Sequence, residues 1–442
     1  MALLQLFISN YNTKNLFAKK DRLLVATSGG IDSVALCKLC NLAGLDFGIA
    51  HCNFQLRGMD SDRDEAFVKE FAKQLNVPFY SIKFDTKKYA REKKLSTQVA
   101  ARQLRYEWFE EVRASNHYDY ILTAHHADDN IETVMMSFFR GTGINGLTGI
   151  RAKNEKLRRP LLFARRVELE DFLKEKQLPF VQDESNLQDD YTRNYFRNKI
   201  LPMIADVYPE VNENILGNIE RMKGAALLYN EAVALKRKKL VEKKGEEFYI
   251  SVLLLQQQNA VQTLLYEIIK DFGFTPHQLT DIVQLLQSES GKYVVSPTHR
   301  ILRNRKHLVI ALLAEITNTA IIINEPGIYN FANGVVTIKN AETTRFSMST
   351  DDNKGHIDAK NIEYPLLLRP WKIGDYFYPL GMQKKKKISR FLIDKKLSMI
   401  EKEKVWVLEM GKKIIWVVGH RIDDRFKITD NTTAVILIDY KP

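Results

Sequence analysis

Residues 23–36 read LLVATSGGIDSVAL: an apolar run, two adjacent glycines, then an aspartate and a serine at the head of a second apolar pattern. Residues 23–27 have the composition of a buried strand, and from 33 to 42 the apolar residues recur at helical spacing. A tight turn from a strand into a helix offers consecutive backbone N–H groups at the positive end of the helix, where anions bind. Two phosphate loops are excluded by the residues themselves. The Walker loop needs two glycines four residues apart followed by lysine, whereas Gly29 and Gly30 are adjacent and no lysine follows. The three spaced glycines of the dinucleotide fingerprint are also missing. What remains is a nest made of Ser28, Gly29, Gly30, Ile31, Asp32 and Ser33. A capped strand-to-helix turn would explain the glycines and serines but not a carboxylate beside bound phosphate. Asp32 therefore implies a bridging Mg²⁺.

Outward from this loop, the first two hundred residues alternate between strand and helix. Strands are predicted at 23–27, 47–51, 79–84 and 120–124, each followed by a helix, at 33–42, 61–75, 97–116 and 129–139. Four such units predict an α/β fold with a mostly parallel sheet and helices on both faces, whose ligands sit at the carboxyl ends of the strands. From about 210 to 289 the spacing is chiefly helical, including a long basic-tipped helix running through LKRKKLVEKK, within a mainly helical domain at 209–315. From 293 to the end alternating strands dominate, with a short helix at 389–395, and the last domain spans 316–442. The chain thus divides into a catalytic domain at 1–208, a helical linker domain and a small α+β, β-rich C-terminal domain.

A formal charge of +12 on 442 residues and a pI near 9.3 favour a polyanionic partner. Nucleic acid is preferred over a membrane, since no basic amphipathic anchor and no membrane-length apolar stretch occurs. MALLQLFISN is too short and polar for a signal peptide. Three cysteines suggest no disulfide framework, so a reducing cytoplasm is expected. Cys37 and Cys40 form a CxxC within the apolar helix SVALCKLCNLAG, where core packing explains them better than metal or thiol chemistry. In the C-terminal domain Arg369, Lys384, Lys385, Lys386, Lys387 and Arg390 are interleaved with Trp371, Tyr376, Tyr378 and Phe391. Basic residues among aromatics suit a surface that follows an RNA backbone.

At SGGIDS the chain resembles the ATP-pyrophosphatase superfamily with its PP-loop, and in particular the tRNA(Ile)-lysidine synthetases. Four further stretches carry the likeness: HCNFQLRGMDSDRDEAFV at 51–68, AHHADDNIET at 124–133, DESNLQDDYTRNYFRNKI at 183–200, and RPWKIGDYFYPLGMQKKKKISRFLID at 369–394. One departure is Phe54, where the family usually has histidine. The resemblance implies an adenine nucleotide α-hydrolase-like fold that uses ATP with Mg²⁺ to join L-lysine to the wobble cytidine of an isoleucine tRNA bearing the CAU anticodon. It also implies that Asp129 and Glu132 receive the lysine ammonium groups. Three residues apart on a helix, the two carboxylates share a face. A helix-capping role for the acids, or a metal site with His125 and His126, is the rival reading. Arg102 and Arg105 would contact triphosphate or RNA phosphate. Guanidinium charge from Arg193 would stabilise a leaving pyrophosphate, and Arg197, one turn further on, is assigned to tRNA. Two other functions stay open: a tRNA thiolase of the same superfamily, and a nucleotide-sensing RNA-binding protein without catalysis. The oligomeric state is left open, a homodimer being one option.

Overall fold

The computed structural model describes residues 2–181, 192–313, 320–342 and 351–442. The chain divides into two compact units, 1–231 and 232–442.

The first unit begins with α1 (Ala2–Thr13) and then runs β1 (Leu23–Ala26), α2 (Ile31–Leu42), β2 (Phe47–Asn53), α3 (Met59–Gln74) and β3 (Phe79–Lys83). It continues through α4 (Thr86–Lys93), α5 (Thr97–Ser115), β4 (Tyr120–Leu122) and α6 (Ala127–Arg140). A hairpin of β5 (Lys153–Asn154) and β6 (Leu157–Arg158) leads to α7 (Arg166–Glu175). The sheet order is β3-β2-β1-β4-β6-β5, parallel throughout except for β5. The four strands and four helices expected from the sequence are all present, with no end shifted by more than two residues. Side-chain alternation explains why both faces carry helices. Leu23 and Val25 enter a core with α1, α2, α3 and α7, whereas Leu24 packs with Trp108, Phe109 and Val112 of α5 on the opposite face. β1 pairs with β2 on one side and β4 on the other, so the chain order reverses there. A crevice therefore opens beyond the carboxyl ends of these two strands.

After α7 come α8 (Thr192–Tyr195), a π-helical turn (Phe196–Ile200), α9 (Leu201–Val207) and the long α10 (Val211–Leu240). The sequence reading carries this last helix through VEKK, but the structure ends it at Leu240. Residues Val241–Lys244 form β7, paired antiparallel with β8 (Glu247–Ser251). Gly245, at φ +58, makes the turn between them. Lysine-rich helical composition is thus overridden by a hairpin that completes a five-stranded sheet with three strands from 293–312, where strands are expected. Its core joins strand residues Ile250, Ile301 and Ile310 to helix residues Leu264, Leu265 and Ile268.

Further along the second unit, a five-stranded and a four-stranded antiparallel sheet share a core containing Leu368, Trp406, Trp416, Ile338 and Ile436. The short helix lies at Ile388–Asp394, and a second one at Met399–Glu403 escaped the sequence reading. Among the described residues, no helix is long and apolar enough to cross a membrane.

Candidate active site

The SGGIDS loop occupies the turn from β1 into α2. Gly29 sits at φ +94, in the left-handed region, and a Cβ there would press on Val68 and Val181, each 3.3 Å away. Only glycine meets both conditions. Ser33 braces the turn from within: its Oγ accepts from the Gly29 N–H at 3.2 Å and donates to the Gly30 carbonyl at 2.9 Å. Ser28 Oγ accepts from the Gly30 N–H at 3.4 Å. The loop is therefore shaped before any anion arrives, and the first-turn N–H groups of α2 have no partners inside the helix. His51, buried on β2, ties the loop down through Nδ1, 2.9 Å from the Thr27 carbonyl. Burial lowers its pKa and favours the neutral ring.

A cavity of about 320 Å³ opens beside this loop at the β1/β4 reversal. Ser28, Asp32 and Ser33 line one side, Thr123, His125 and Asp129 another, and Phe54, Arg105, Tyr106 and Phe109 form a partly aromatic wall. Arg193 closes the rim. The loop and Asp32, Asp129, Arg105 and Arg193 thus meet in one place. Phe54, where the family usually has histidine, stacks on Phe84 with centroids 5.9 Å apart and lies 5.1 Å from the Arg105 guanidinium. Arg102, one turn earlier on α5, lies over Tyr106 at 4.9 Å and is absent from the cavity lining.

His126, weighed from the sequence only as a rival metal ligand, is the hub of the carboxylates. It is 1% exposed, with Nε2 3.7 Å from Asp32 and 3.6 Å from Asp129, and Nδ1 3.5 Å from Asp128. Burial disfavours its charge, but Asp128, Asp129 and Asp32 together raise its pKa above the ordinary histidine value. The pair of histidines at a strand's end is visible in the sequence. Which of them turns inward is decided by packing. His125 instead faces the cavity, 3.0 Å from Thr123 Oγ1, and burial lowers its pKa. Asp128 is held by the Arg166 backbone N–H at 2.7 Å and by Arg165 Nε at 2.8 Å. Despite burial, these contacts and His126 keep it strongly acidic.

Asp32 has a different environment. Burial, only partly offset by His126 and Arg166, holds its carboxyl above the ordinary range, and its buried Oδ1 has no hydrogen-bond partner among the described residues. A buried, unpartnered carboxylate oxygen next to a phosphate nest fits a hard cation. Among the described residues no three His, Cys, Asp or Glu groups converge on a metal position. A cation at Asp32 would complete its shell with phosphate oxygens and water, as Mg²⁺ commonly does.

Glu132 and Arg197 are placed differently from expectation. Glu132 is 0% exposed, and both its oxygens accept from Arg197, Nε at 2.6 Å and Nη2 at 3.0 Å. Arg197 also lies 3.6 Å from Asp129, and its pairing with Glu132 outweighs burial and raises its pKa. Arg197, assigned from sequence to the RNA surface, thus belongs to the acidic cluster. Arg193 lies 3.5 Å from Glu132 and donates to Thr133 Oγ1 at 2.9 Å. Residues 183–191 of the matching stretch, Tyr191 included, lie outside the described residues.

Cys37 and Cys40 are fully buried in the core beneath α2, and burial pushes the Cys37 thiol to about 12. Cys52 lines the cavity, but burial raises it to about 12 as well. None of these thiols is poised as a nucleophile.

The second unit sorts its basic residues by burial. Arg369 is 8% exposed, locked between Asp375 (2.8 and 3.0 Å) and Glu409 (2.6 Å). Its donors are occupied, which removes it from the candidate RNA surface. Lys384, Lys385, Lys387 and Arg390 are exposed, and Lys385 lies 5.4 Å from the Tyr376 ring. Lys386 is half-buried and pairs with Asp394 at 2.9 Å.

Comparison with known proteins gives three family matches: the PP-loop domain over residues 5–204, the TilS substrate binding domain over 243–313, and the TilS substrate C-terminal domain over 366–438. The chain is 39% identical to a tRNA(Ile)-lysidine synthase of Parabacteroides distasonis, covering 99% of each protein. It is 36% identical to that of Bacteroides thetaiotaomicron, covering 96% of each. With that of Caldanaerobacter subterraneus subsp. tengcongensis it shares 31% identity, over 96% of this chain and 95% of the relative.

Proposed function

The chain belongs to the tRNA(Ile)-lysidine synthase family, and we propose that it joins L-lysine to the wobble cytidine of an isoleucine tRNA with a CAU anticodon, at the expense of ATP. The observation that carries this reading is the meeting of the SGGIDS loop, Asp32, Asp129 and Arg193 around one cavity at the β1/β4 reversal. The cytidine O2 attacks the α-phosphate of ATP, a P–O bond forms, and pyrophosphate leaves. The ε-amine of lysine then adds at C2 and loses a proton, and the C2–O bond breaks to release AMP. Adenylation is required because the amide-like O2 is a poor leaving group until it carries AMP.

The first-turn amides of α2 receive the phosphates. Asp32 holds the Mg²⁺, which when bound neutralises charge on the phosphate chain. Arg193, at the rim, meets the charge developing on the leaving pyrophosphate. The aromatic wall, with Phe54 and Arg105, takes the nucleoside. Asp129 is the carboxylate at the cavity surface available to the lysine amine, and it can accept a proton as the amine attacks. Glu132 joins it only when Arg197 turns away. The exposed lysines at 384, 385 and 387, with Arg390, hold the tRNA backbone. Three free cysteines fit a reducing cytoplasm.

The test is incorporation of labelled lysine into tRNA transcripts differing only in the wobble base. Label should enter the cytidine transcript and not the uridine one. Equal labelling of both, or of neither, would overturn the assignment. A thiolase would require sulfur transfer through cysteine, for which the buried Cys37 and Cys40 are ill placed.

A further inference from the structure

Helix α6 carries more than the acidic cluster. Its buried face is made by Ile131 and Val134, yet it ends in two aromatic residues, Phe138 and Phe139, each 63% exposed. Their rings meet edge to face with centroids 5.7 Å apart, and Phe139 lies 5.8 Å from Phe196 on the π-helical turn. The next residue on that turn is Arg197, which holds Glu132. Exposed Arg140 follows directly on α6. Two neighbouring phenylalanines left in water forfeit burial worth roughly 25 cal/mol per Å², so the patch is better explained by a partner than by the core.

We propose that Phe138, Phe139 and Phe196 form a stacking platform for the unpaired RNA bases beside the cytidine that enters the cavity. The proposal rests on the tRNA reading above and names the part of the RNA this surface takes. An enzyme that reacts at a base edge takes that base out of its stack, and its neighbours lose a stacking partner. Aromatic rings replace that partner without regard to sequence, and Arg140 supplies a cation for the adjoining phosphates. Position agrees with this role. Phe139 lies ten residues beyond Asp129 on the same helix, about 15 Å along its axis at 1.5 Å per residue. At roughly 3.4 Å per stacked nucleotide, that span reaches bases within about four positions of the reacting one. An anticodon loop presents its unpaired bases over that range.

The experiment uses the full chain and a synthetic anticodon stem-loop carrying 2-aminopurine, a base whose fluorescence falls on stacking, at the unpaired loop position about four nucleotides from the wobble cytidine. The unaltered protein should bind and quench the probe. F139A should bind about 10-fold more weakly, in keeping with base–aromatic stacking of about 1–3 kcal/mol, and should lose the quenching. F138A should lose less, and F139W should restore both signals. ATP affinity should be unchanged in every variant, which separates the platform from the nucleotide site. Tight binding and full quenching by F139A would overturn the platform while leaving the tRNA reading intact. Failure of the unaltered protein to bind the stem-loop would overturn both. If light scattering shows the unaltered chain to be a dimer that F139A converts to monomers, the face is a contact between copies and the proposal fails.

Discussion

Arginine and lysine occur in quantity in both units, but their surroundings differ. In the first unit Arg165, Arg193 and Arg197 surround buried and partly buried carboxylates at the ends of β1 and β4. Each charge there is held by a few close contacts, and removing one weakens the hold on its partner in a poorly solvated place. In the second unit Lys384, Lys385, Lys387 and Arg390 are exposed, with Lys385 beside the Tyr376 ring, and there each contributes little and salt screens all of them. Burial, rather than residue type, separates a reaction site from a docking surface. Arg369 proves the point, because it lies among the surface lysines in sequence yet has the environment of the first group.

The two regions should therefore fail in different ways. The largest effect is expected at Asp32. D32A should lower AMP formation at least about 1,000-fold, the scale of removing a central electrostatic group, while tRNA affinity measured by filter binding stays near that of the unaltered protein. A comparable loss of RNA affinity would erase the distinction between site and surface.

Next comes the Glu132–Arg197 pair. E132A and R197A should each cost about 1.5–3 kcal/mol in urea unfolding, because each removes the two-bond partner of a poorly solvated charge and leaves it only a longer contact, Asp129 at 3.6 Å for Arg197 or Arg193 at 3.5 Å for Glu132. The double variant should cost clearly less than the sum. Additive losses would show that the pair is not a unit. R369A should likewise lose about 3 kcal/mol of stability. After correction for folded protein its RNA affinity should be unchanged, and a selective loss of RNA binding would return Arg369 to the surface.

A smaller effect concerns pH. The folded pKa of His126 is raised above its ordinary 6.5, so its contribution to stability is complete below about pH 6.5 and is lost as pH rises through the raised value. Asp128 is lowered, so its contribution is present above its ordinary 3.8 and is lost only as pH falls through the lowered value. Unfolding curves at successive pH values should show a decline that begins above about pH 6.5 and that H126Q abolishes. A decline of the same size in H126Q would assign it elsewhere. The smallest expected effects are at the surface. K384A and K385A should each weaken tRNA binding a few-fold and reduce the slope of log affinity against log salt by about 1.

Much of the first unit was legible because its signals are local. Strand and helix periods, the Gly29–Gly30 turn and the aspartate after it lie within a few residues of one another, and they placed the parallel sheet and the SGGIDS loop at the end of its first strand, while the strand order, and with it the reversal between β1 and β4, came only from the structure. What could not be read depends on contacts across the chain. Glu132 and Arg197 are 65 residues apart, and no spacing rule announces that the second would fill both oxygens of the first. His125 and His126 are indistinguishable as letters, and only packing sends one into the carboxylates and the other toward the cavity. The strand at Val241–Lys244 was hidden by helix-favouring lysines, since a hairpin partner at Glu247–Ser251 outweighs local propensity. Arg369 looked like part of a basic surface because one acidic partner, Glu409, lies 40 residues away and the other, Asp375, six residues on, is not at a helical or strand spacing that announces a pair.

The most direct test of the central claim is AMP release from ATP by the full chain with the isoleucine tRNA, in the presence and absence of L-lysine. Sustained AMP formation should require both tRNA and lysine, because the nucleotide leaves only when the amine displaces it. Equal turnover without lysine would contradict the ligase reading, and no AMP under any condition would mean that the cavity binds nucleotide without using it.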